Sequence, residues 1–512
     1  MAEHIFSGIS LPAIFVAIVA FFLVRRIYWE VTEGASQKRL AKESGCQPVY
    51  RWQHKGVLGY FFGYDVMKEN FVAGKAGRFH ENARLRNWQN HKTIQVRNFN
   101  RDFIMTIEPE NVKALLGTKF PDFGLGNLRI STMSPVFGQG IFTSDGKAWE
   151  HSRAMIRPSF TKQQVGDLSS YEHHVNNMMA HIPKDGQTVD LQELFFKLTM
   201  DSATEFLFGK STNTLVPGQE QKGATRFTDA FTYVTERMSR DFRTARLSRF
   251  LPDKKRVEDS EFIRKFASDI VDEAIAQQED IEKGVGEERR NYTFLFELLK
   301  VTRDPYILRS ETLNVLLAGR DTTASLLSHT FFELARRPDV WAKLQAEIDQ
   351  LGGQAPDYET MKSMKYVKWV LNESLRLWPV VPGNTRIAVR DTVLPLGGGP
   401  DEKSPILVPK GTPVGYSVWS MHRRKDFYGE DALQYKPERW EKLRPGWEYL
   451  PFNGGPRICI GQNFALTEAS YTMIRLLQHF KRIEPRDDKP WTEFQTLTLA
   501  IGNGVKVGLY PN

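Results

Sequence analysis

The stretch that most constrains this chain is residues 449–471, where Cys459 sits on a glycine-rich loop that runs straight into a helical pattern. Gly454, Gly455 and Gly461 let the backbone bend tightly and approach a flat ligand closely. Cys459 falls just before the first helical turn, where free amide N–H groups and the positive dipole end stabilise a thiolate. Such a thiolate, with an open face opposite, is an electron-rich axial ligand for a haem iron. The competing reading is a buried structural cysteine beside a helix start. Five specified residues in order, Phe452, Gly455, Arg457, Cys459 and Gly461, weigh against it.

That spacing resembles the haem-binding signature of the cytochrome P-450 superfamily. The resemblance implies haem b, its iron ligated axially by Cys459, with Phe452, Arg457 and Gly461 in the cofactor-binding loop.

The remaining totals set bounds. With 512 residues, 41% hydrophobic and 25% charged, the chain is long enough for one large core. Two cysteines make no disulfide framework, so a reducing compartment is expected. The net charge of +8 suits an acidic protein partner or an anionic lipid surface. No basic-aromatic groove is apparent, so no nucleic-acid partner is expected.

Residues 5–24 contain no charge, and twenty helical residues span about 30 Å, the thickness of a bilayer core. Arg25 and Arg26 follow at once, which keeps the downstream chain cytosolic. A cleaved signal peptide is disfavoured because the leading residues lack a basic region. The expectation is one N-terminal transmembrane helix, single-pass in the endoplasmic reticulum membrane. Residues 1–30 then form the anchor, 31–77 a linker and membrane-proximal segment, and 78–512 the catalytic domain. The apolar run 57–64 is too short to span but can dip into the membrane surface.

Alternation over residues 93–108 predicts a β-hairpin. Residues 121–140 read as a long glycine-rich loop, a wall or lid for a cavity, and the charged run 277–290 as a solvated loop. Trp149 and Arg153, four apart, share a helix face and can both donate to a carboxylate. The helical pattern 305–337 puts Val315, Ala318, Thr322 and Leu326 on one face, small enough for a planar cofactor to lie against. Asp321 and Thr322 there give an acid and an alcohol able to relay protons. Glu373 and Arg376 fall one turn apart on a further helix, and Arg439 follows in a loop before the cysteine stretch.

By the same resemblance, Trp149, Arg153 and Arg386 hold haem propionates, and Asp321 with Thr322 forms the oxygen-activation motif. Glu373, Arg376 and Arg439 form a buried triad bracing the loop under the haem. Ala318, Val380, Val381 and Ala500 line the substrate cavity. Ala318 stands where animal fatty-acid hydroxylases often carry a glutamate esterified to haem, so no covalent haem is expected.

The resemblance runs from about Arg78 to the C-terminus. Segments 318–321, 396–401, 421–424 and 464–470 narrow it to the fungal n-alkane and fatty-acid hydroxylases. The implied fold is mainly α-helical with a small β-rich lobe. The implied reaction is NADPH- and O₂-dependent hydroxylation of a long aliphatic chain at or near its terminal methyl, on a lipophilic small-molecule substrate. Electrons come from NADPH-cytochrome P-450 reductase, because the chain has no nicotinamide-binding strand–helix unit of its own. The alternatives are a tailoring monooxygenase of a fungal secondary metabolite, a haem-thiolate lipid isomerase or dehydratase, and a tethered lipid- or haem-binding protein without turnover.

Overall fold

A 32-residue helix buried along most of its length organises the molecule. The computed structural model describes residues 11–88, 90–99, 101–161, 166–244, 252–284 and 293–511. In chain order the helices that matter here are α1 (Leu11–Val31), α2 (Gly56–Phe62), α3 (Tyr64–Lys75), α4 (Asn127–Phe137), α5 (Gly146–Ile156) and α6 (Leu191–Phe208). They are followed by α7 (Ala224–Arg243), α8 (Lys254–Glu282), α9 (Pro305–Arg336), α10 (Lys365–Leu377) and α11 (Gln462–His479).

The central helix is α9. Asp304 caps its start, accepting from the Tyr306 and Ile307 amides at 2.8 and 3.4 Å, and Pro305 occupies its first turn, where a missing N–H costs nothing. It stops at Arg336, because Pro338 disfavours helical backbone at Arg337. Apolar side chains surround it on every side, as a helix packed against α6, α8, α10 and α11 requires.

The β-rich lobe is a six-stranded sheet of β1 (Tyr50–Arg51), β2 (Thr93–Asn98), β3 (Arg101–Thr106), β4 (Phe123–Gly124), β5 (Gly383–Ala388) and β6 (Pro413–Ser417), in the order β1-β2-β3-β6-β5-β4. The expected hairpin is β2–β3, antiparallel from Thr93 opposite Thr106 to Asn98 opposite Arg101. Near the C-terminus β7 (Glu493–Gln495) and β8 (Leu499–Ile501) form a second hairpin. The Leu499 amide donates to the Val380 carbonyl at 2.9 Å. The mainly helical fold with small sheets is the one expected.

Two segments differ from expectation. Residues 121–140 are not one loop: α4 occupies Asn127–Phe137, burying Met133, Val136 and Phe137. Its glycines are end-caps, with Gly126 at φ 79° and Gly138 at φ 66°, so they delimit a helix rather than loosen a loop. The charged run continues α8 to Glu282, because its side chains pair at helical spacing, Gln278 donating a hydrogen bond to Glu282 and Lys283 forming an ion pair with Glu279. The rest of that run, 285–290, lies outside the described residues.

At the N-terminus α1 is apolar to Val24 and then carries Arg25, Arg26 and Glu30. Among the described residues no helix is long and apolar enough to cross a membrane. Residues 1–10 of the expected anchor lie outside them. Most of the run 57–64 lies in α2, with Val57, Leu58, Tyr60, Phe61 and Phe62 exposed, while Gly63 caps that helix and Tyr64 opens α3.

Candidate active site

The cysteine loop is held by its own backbone. The Cys459 amide donates to the Phe452 carbonyl at 2.9 Å and the Ile458 amide to the Gly455 carbonyl at 3.0 Å. Gly455 has φ 67°, and a Cβ there would lie 1.8 Å from the Leu116 carbonyl oxygen, so only glycine fits. The Gly461 amide donates to the Cys459 sulfur, and α11 begins at the next residue. Protein surrounds the thiol closely enough that burial pushes it up, against the pull of the Gly461 amide and the nearby Arg153. Yet Cys459 is itself exposed. A side chain both walled in and open faces an internal void.

On α9, the run Glu311–Leu317 and then Thr323–Phe332 is buried, while Ala318, Gly319 and Thr322 keep open surface. This strip is small-sided, as a flat group lying against the helix needs. The Thr322 hydroxyl donates to the Ala318 carbonyl one turn back at 2.6 Å. Asp321 is turned away and buried, its Oδ1 3.2 Å from Arg320 Nη1. Burial pushes the Asp321 carboxyl up and Arg320 draws it down.

One side of the void is cationic. Arg457 Nη2 donates to the Ser144 carbonyl at 2.9 Å and to Asp145 Oδ1 at 2.6 Å, with its guanidinium 4.4 Å from the Trp149 ring centre. Arg153 lies 6.0 Å from the same ring. Arg386 on β5 donates to Asn384 Oδ1 at 3.1 Å and to the Thr385 carbonyl at 2.9 Å. A fourth cation, Arg129 on α4, donates to the Phe142 carbonyl at 3.2 Å and reaches Asn384 Oδ1 at 3.5 Å. Burial, then repulsion from Arg386 and Arg457, brings Arg129 down to about 9. Burial brings Arg457 down to about 10, with Asp145 opposing and Arg386 and Arg153 adding to the fall. A cluster of like charges with Asp145 as its counter-ion is suited to hold an anion. The two propionates of a haem fit it, as the open thiol and the strip on α9 fit the ring.

Below the loop lies the bracing network. Arg376 Nε and Nη2 donate to Glu373 at 2.9 and 2.8 Å, and Arg439 Nε donates to Glu373 Oε1 at 2.9 Å. The Lys436 amide also donates to Glu373 Oε1 at 2.8 Å and Trp440 Nε1 to Glu373 Oε2 at 3.0 Å. His422 carries the brace to the loop. It accepts from the Leu450 amide at Nε2, 2.9 Å, so its Nδ1 carries the proton donated to the Arg376 carbonyl at 3.1 Å.

A family model described as "Cytochrome P450" matches residues 67–506. The chain is a cytochrome P450. It is 43% identical to the cytochrome P450 monooxygenase himC of Aspergillus japonicus over 99% of this chain and 91% of the relative. It is 44% identical to the monooxygenase fsdH of Fusarium heterosporum over 93% and 85%, and 47% identical to cytochrome P450 52A5 of Candida maltosa over 80% and 81%. The protein is therefore an oxidoreductase of the monooxygenase type, with a haem whose iron a cysteine thiolate ligates.

Within this P450, Val381 keeps open surface while Val380 and Ala500 are packed away, and the turn residue Leu497 between β7 and β8 joins the apolar cluster of α7 and α9. Arg129 and His422 had not been singled out for these roles. Nor had Glu468 on α11, a buried acid that accepts from the Ser202 hydroxyl, lies beside Thr323, and is pushed up to about 7 by burial. Arg129 meets Asn384 across 255 residues of chain, so no local spacing announces it.

Proposed function

We propose that this P450 hydroxylates long-chain aliphatic substrates, fatty acids or n-alkanes, at or near the terminal methyl. It takes electrons from NADPH-cytochrome P-450 reductase at the endoplasmic reticulum membrane. The observation that carries the reading is the small-sided strip Ala318, Gly319 and Thr322, the part of the buried middle of α9 that keeps open surface, which a thin aliphatic chain end can approach closely. Attachment is through the uncharged run 5–24 and the exposed apolar face of α2.

The haem, when bound at Cys459, supplies oxygen activation. The chain's own part is positioning and proton traffic. The Thr322 hydroxyl, held by the Ala318 carbonyl, presents its oxygen to the void. Asp321, one residue back, is a buried acid whose Oδ1 has no hydrogen-bond partner among the described residues, so it can take up a proton and pass it on. Methylene C–H bonds are weaker than methyl ones, so terminal selectivity must come from geometry, and each tenfold needs only about 1.4 kcal/mol.

A second reading, tailoring of a fatty chain on a fungal secondary metabolite, is supported by the comparable similarity to the Aspergillus and Fusarium monooxygenases. Mass spectrometry of products formed from a saturated sixteen-carbon acid and alkane, with reductase and NADPH, separates the two. Terminal or adjacent hydroxylation supports the first reading. Mid-chain scatter, or no turnover of any simple aliphatic, overturns it and promotes the second.

A further inference from the structure

Neighbouring residues on a helix do not normally face each other, yet Arg320 folds along α9 to bring Nη1 within 3.2 Å of Asp321 Oδ1, both side chains buried. Its other end is tied to a different helix. Arg320 Nη2 donates to Thr232 Oγ1 on α7 at 2.9 Å, and Thr232 in turn donates to the Thr228 carbonyl at 2.9 Å. The guanidinium lies 5.6 Å from both the Phe196 ring of α6 and the Phe231 ring of α7. Thr199 of α6 donates to the Arg320 carbonyl at 2.7 Å, pinning the backbone beneath.

The grip on Asp321 is incomplete. Arg320 Nε and Asp321 Oδ1 are both buried without a hydrogen-bond partner among the described residues, so the pair is charge contact without an aligned bond. Buried groups with unmet bonds favour any small rotation that satisfies them. What sets that rotation is α7, which at Ser239 also donates to the Gln495 carbonyl of β7 at 3.3 Å. One helix thus joins the hairpin carrying Leu497 to the cation on Asp321.

We propose that Arg320 is a positioning residue for Asp321, with Thr232 as its latch, so that the placement of α7 governs whether Asp321 is free to move a proton toward Thr322. This rests on the relay role given to Asp321 above. Arg320 is the charged group that acts on Asp321. Facing this stretch, α6 presents Phe196 and Thr199, α7 presents Phe231 and Thr232, and α11 presents Glu468 beside Thr323. Glu311 and Glu333 lie about 15 and 18 Å away along α9, at ten and twelve residues.

The test reads Asp321 itself, by the infrared carbonyl stretch of its protonated form as a function of pH in ferric, substrate-free holoenzyme. Subtracting the Asp321→Asn spectrum removes the bands of the other buried acids. Arg320→Leu is expected to raise the titration midpoint by at least about one unit, a tenfold gain in proton affinity. Thr232→Val should raise it in the same direction by less, and Arg320→Lys should restore most of it. An unchanged midpoint in Arg320→Leu overturns the proposal, and a shift there with none in Thr232→Val overturns the coupling to α7. If Arg320→Leu does not hold haem, Thr232→Val and Arg320→Lys decide: midpoints equal to wild type in both defeat it. Failure of the relay role would appear separately, as wild-type NADPH consumption per product in Asp321→Asn.

Discussion

Glu373 and Arg376, three residues apart on α10, are joined by two parallel hydrogen bonds of 2.8 and 2.9 Å while neither side chain has any surface open to solvent. Removing one partner of such a pair leaves a buried charge uncompensated, a loss of about 3–5 kcal/mol. Glu373→Ala also strands Arg439, the Lys436 amide and Trp440 Nε1. The expected outcome is a chain that fails to retain haem and melts well below wild type. Glu373→Gln, which keeps an acceptor oxygen, should lose less in both haem content and melting temperature.

Acid stability should show a break rather than a steady fall. Burial holds His80 and His422 down to about 3 and His329 to about 4, and pushes Glu311, Glu333, Glu468 and Glu493 up to about 7. The carboxyls bind protons more tightly folded than unfolded, so their contribution grows as pH falls from 7 to their ordinary 4.5. The histidines' contribution is full above 6.5 and is lost as pH falls toward about 3. Between 6.5 and 4.5 the two sets oppose each other. Below 4.5 the histidines act unopposed, at about 1.4 kcal/mol per pH unit each. Carboxylates held low by arginine partners, such as Asp102 and Asp426, add to that loss. Melting temperature against pH should be nearly level to about 4.5 and then drop steeply; a uniform decline from neutrality would contradict this balance.

Arg129→Leu should have opposite effects with and without haem. Without it, the substitution removes a cation repelled by Arg386 and Arg457, so the apoprotein should be no less stable than wild type. With it, an anion partner is lost, and haem should leave about tenfold faster for each 1.4 kcal/mol of attraction removed. Thermal melting of the apoprotein and haem transfer to an acceptor protein measure the two. Slower haem loss would show that Arg129 is not part of the anion site.

Deleting residues 1–26 should weaken membrane attachment without ending it. The face of α2 stays exposed, with Leu58 57%, Phe61 55% and Phe62 52% accessible. Its placement is fixed, because His54 Nδ1 meets Asp65 Oδ1 at 2.8 Å while its Nε2 accepts from the Arg97 amide of β2 at 3.1 Å. Burial of one such side chain contributes about 1.5–3 kcal/mol. Vesicle flotation of the truncated holoenzyme should leave a bound fraction that Leu58→Ser, Phe61→Ser and Phe62→Ser together remove. Complete release by truncation alone would rule out this face.

The parts of the site written in local spacing were legible in the sequence: the Cys459 loop, the Ala318–Thr322 strip, and Glu373 with Arg376 one turn apart. What was not legible depends on long-range contacts. His422 ties the Arg376 carbonyl, 46 residues back, to the Leu450 amide, 28 residues on. Thr232 meets Arg320 across 88 residues. The helix Asn127–Phe137 was hidden because glycines that cap an element look, in a sequence, like glycines that loosen one. The end of α8 was hidden because polar and charged side chains four apart suit a solvated loop and a helix surface equally well.

The most direct test of the account is the reduced, carbon-monoxide-bound absorption spectrum of Cys459→Ser beside wild type. Cys459 is exposed to the internal void and receives the Gly461 amide, an arrangement suited to a thiolate on iron. A hydroxyl donates far less electron density to the metal. Wild type should show the long-wavelength Soret band of thiolate ligation, and Cys459→Ser should lose that band while the fold, by circular dichroism, is kept. An unchanged band in Cys459→Ser would contradict the assignment of Cys459 as the axial ligand and with it the geometry on which the proposed function rests.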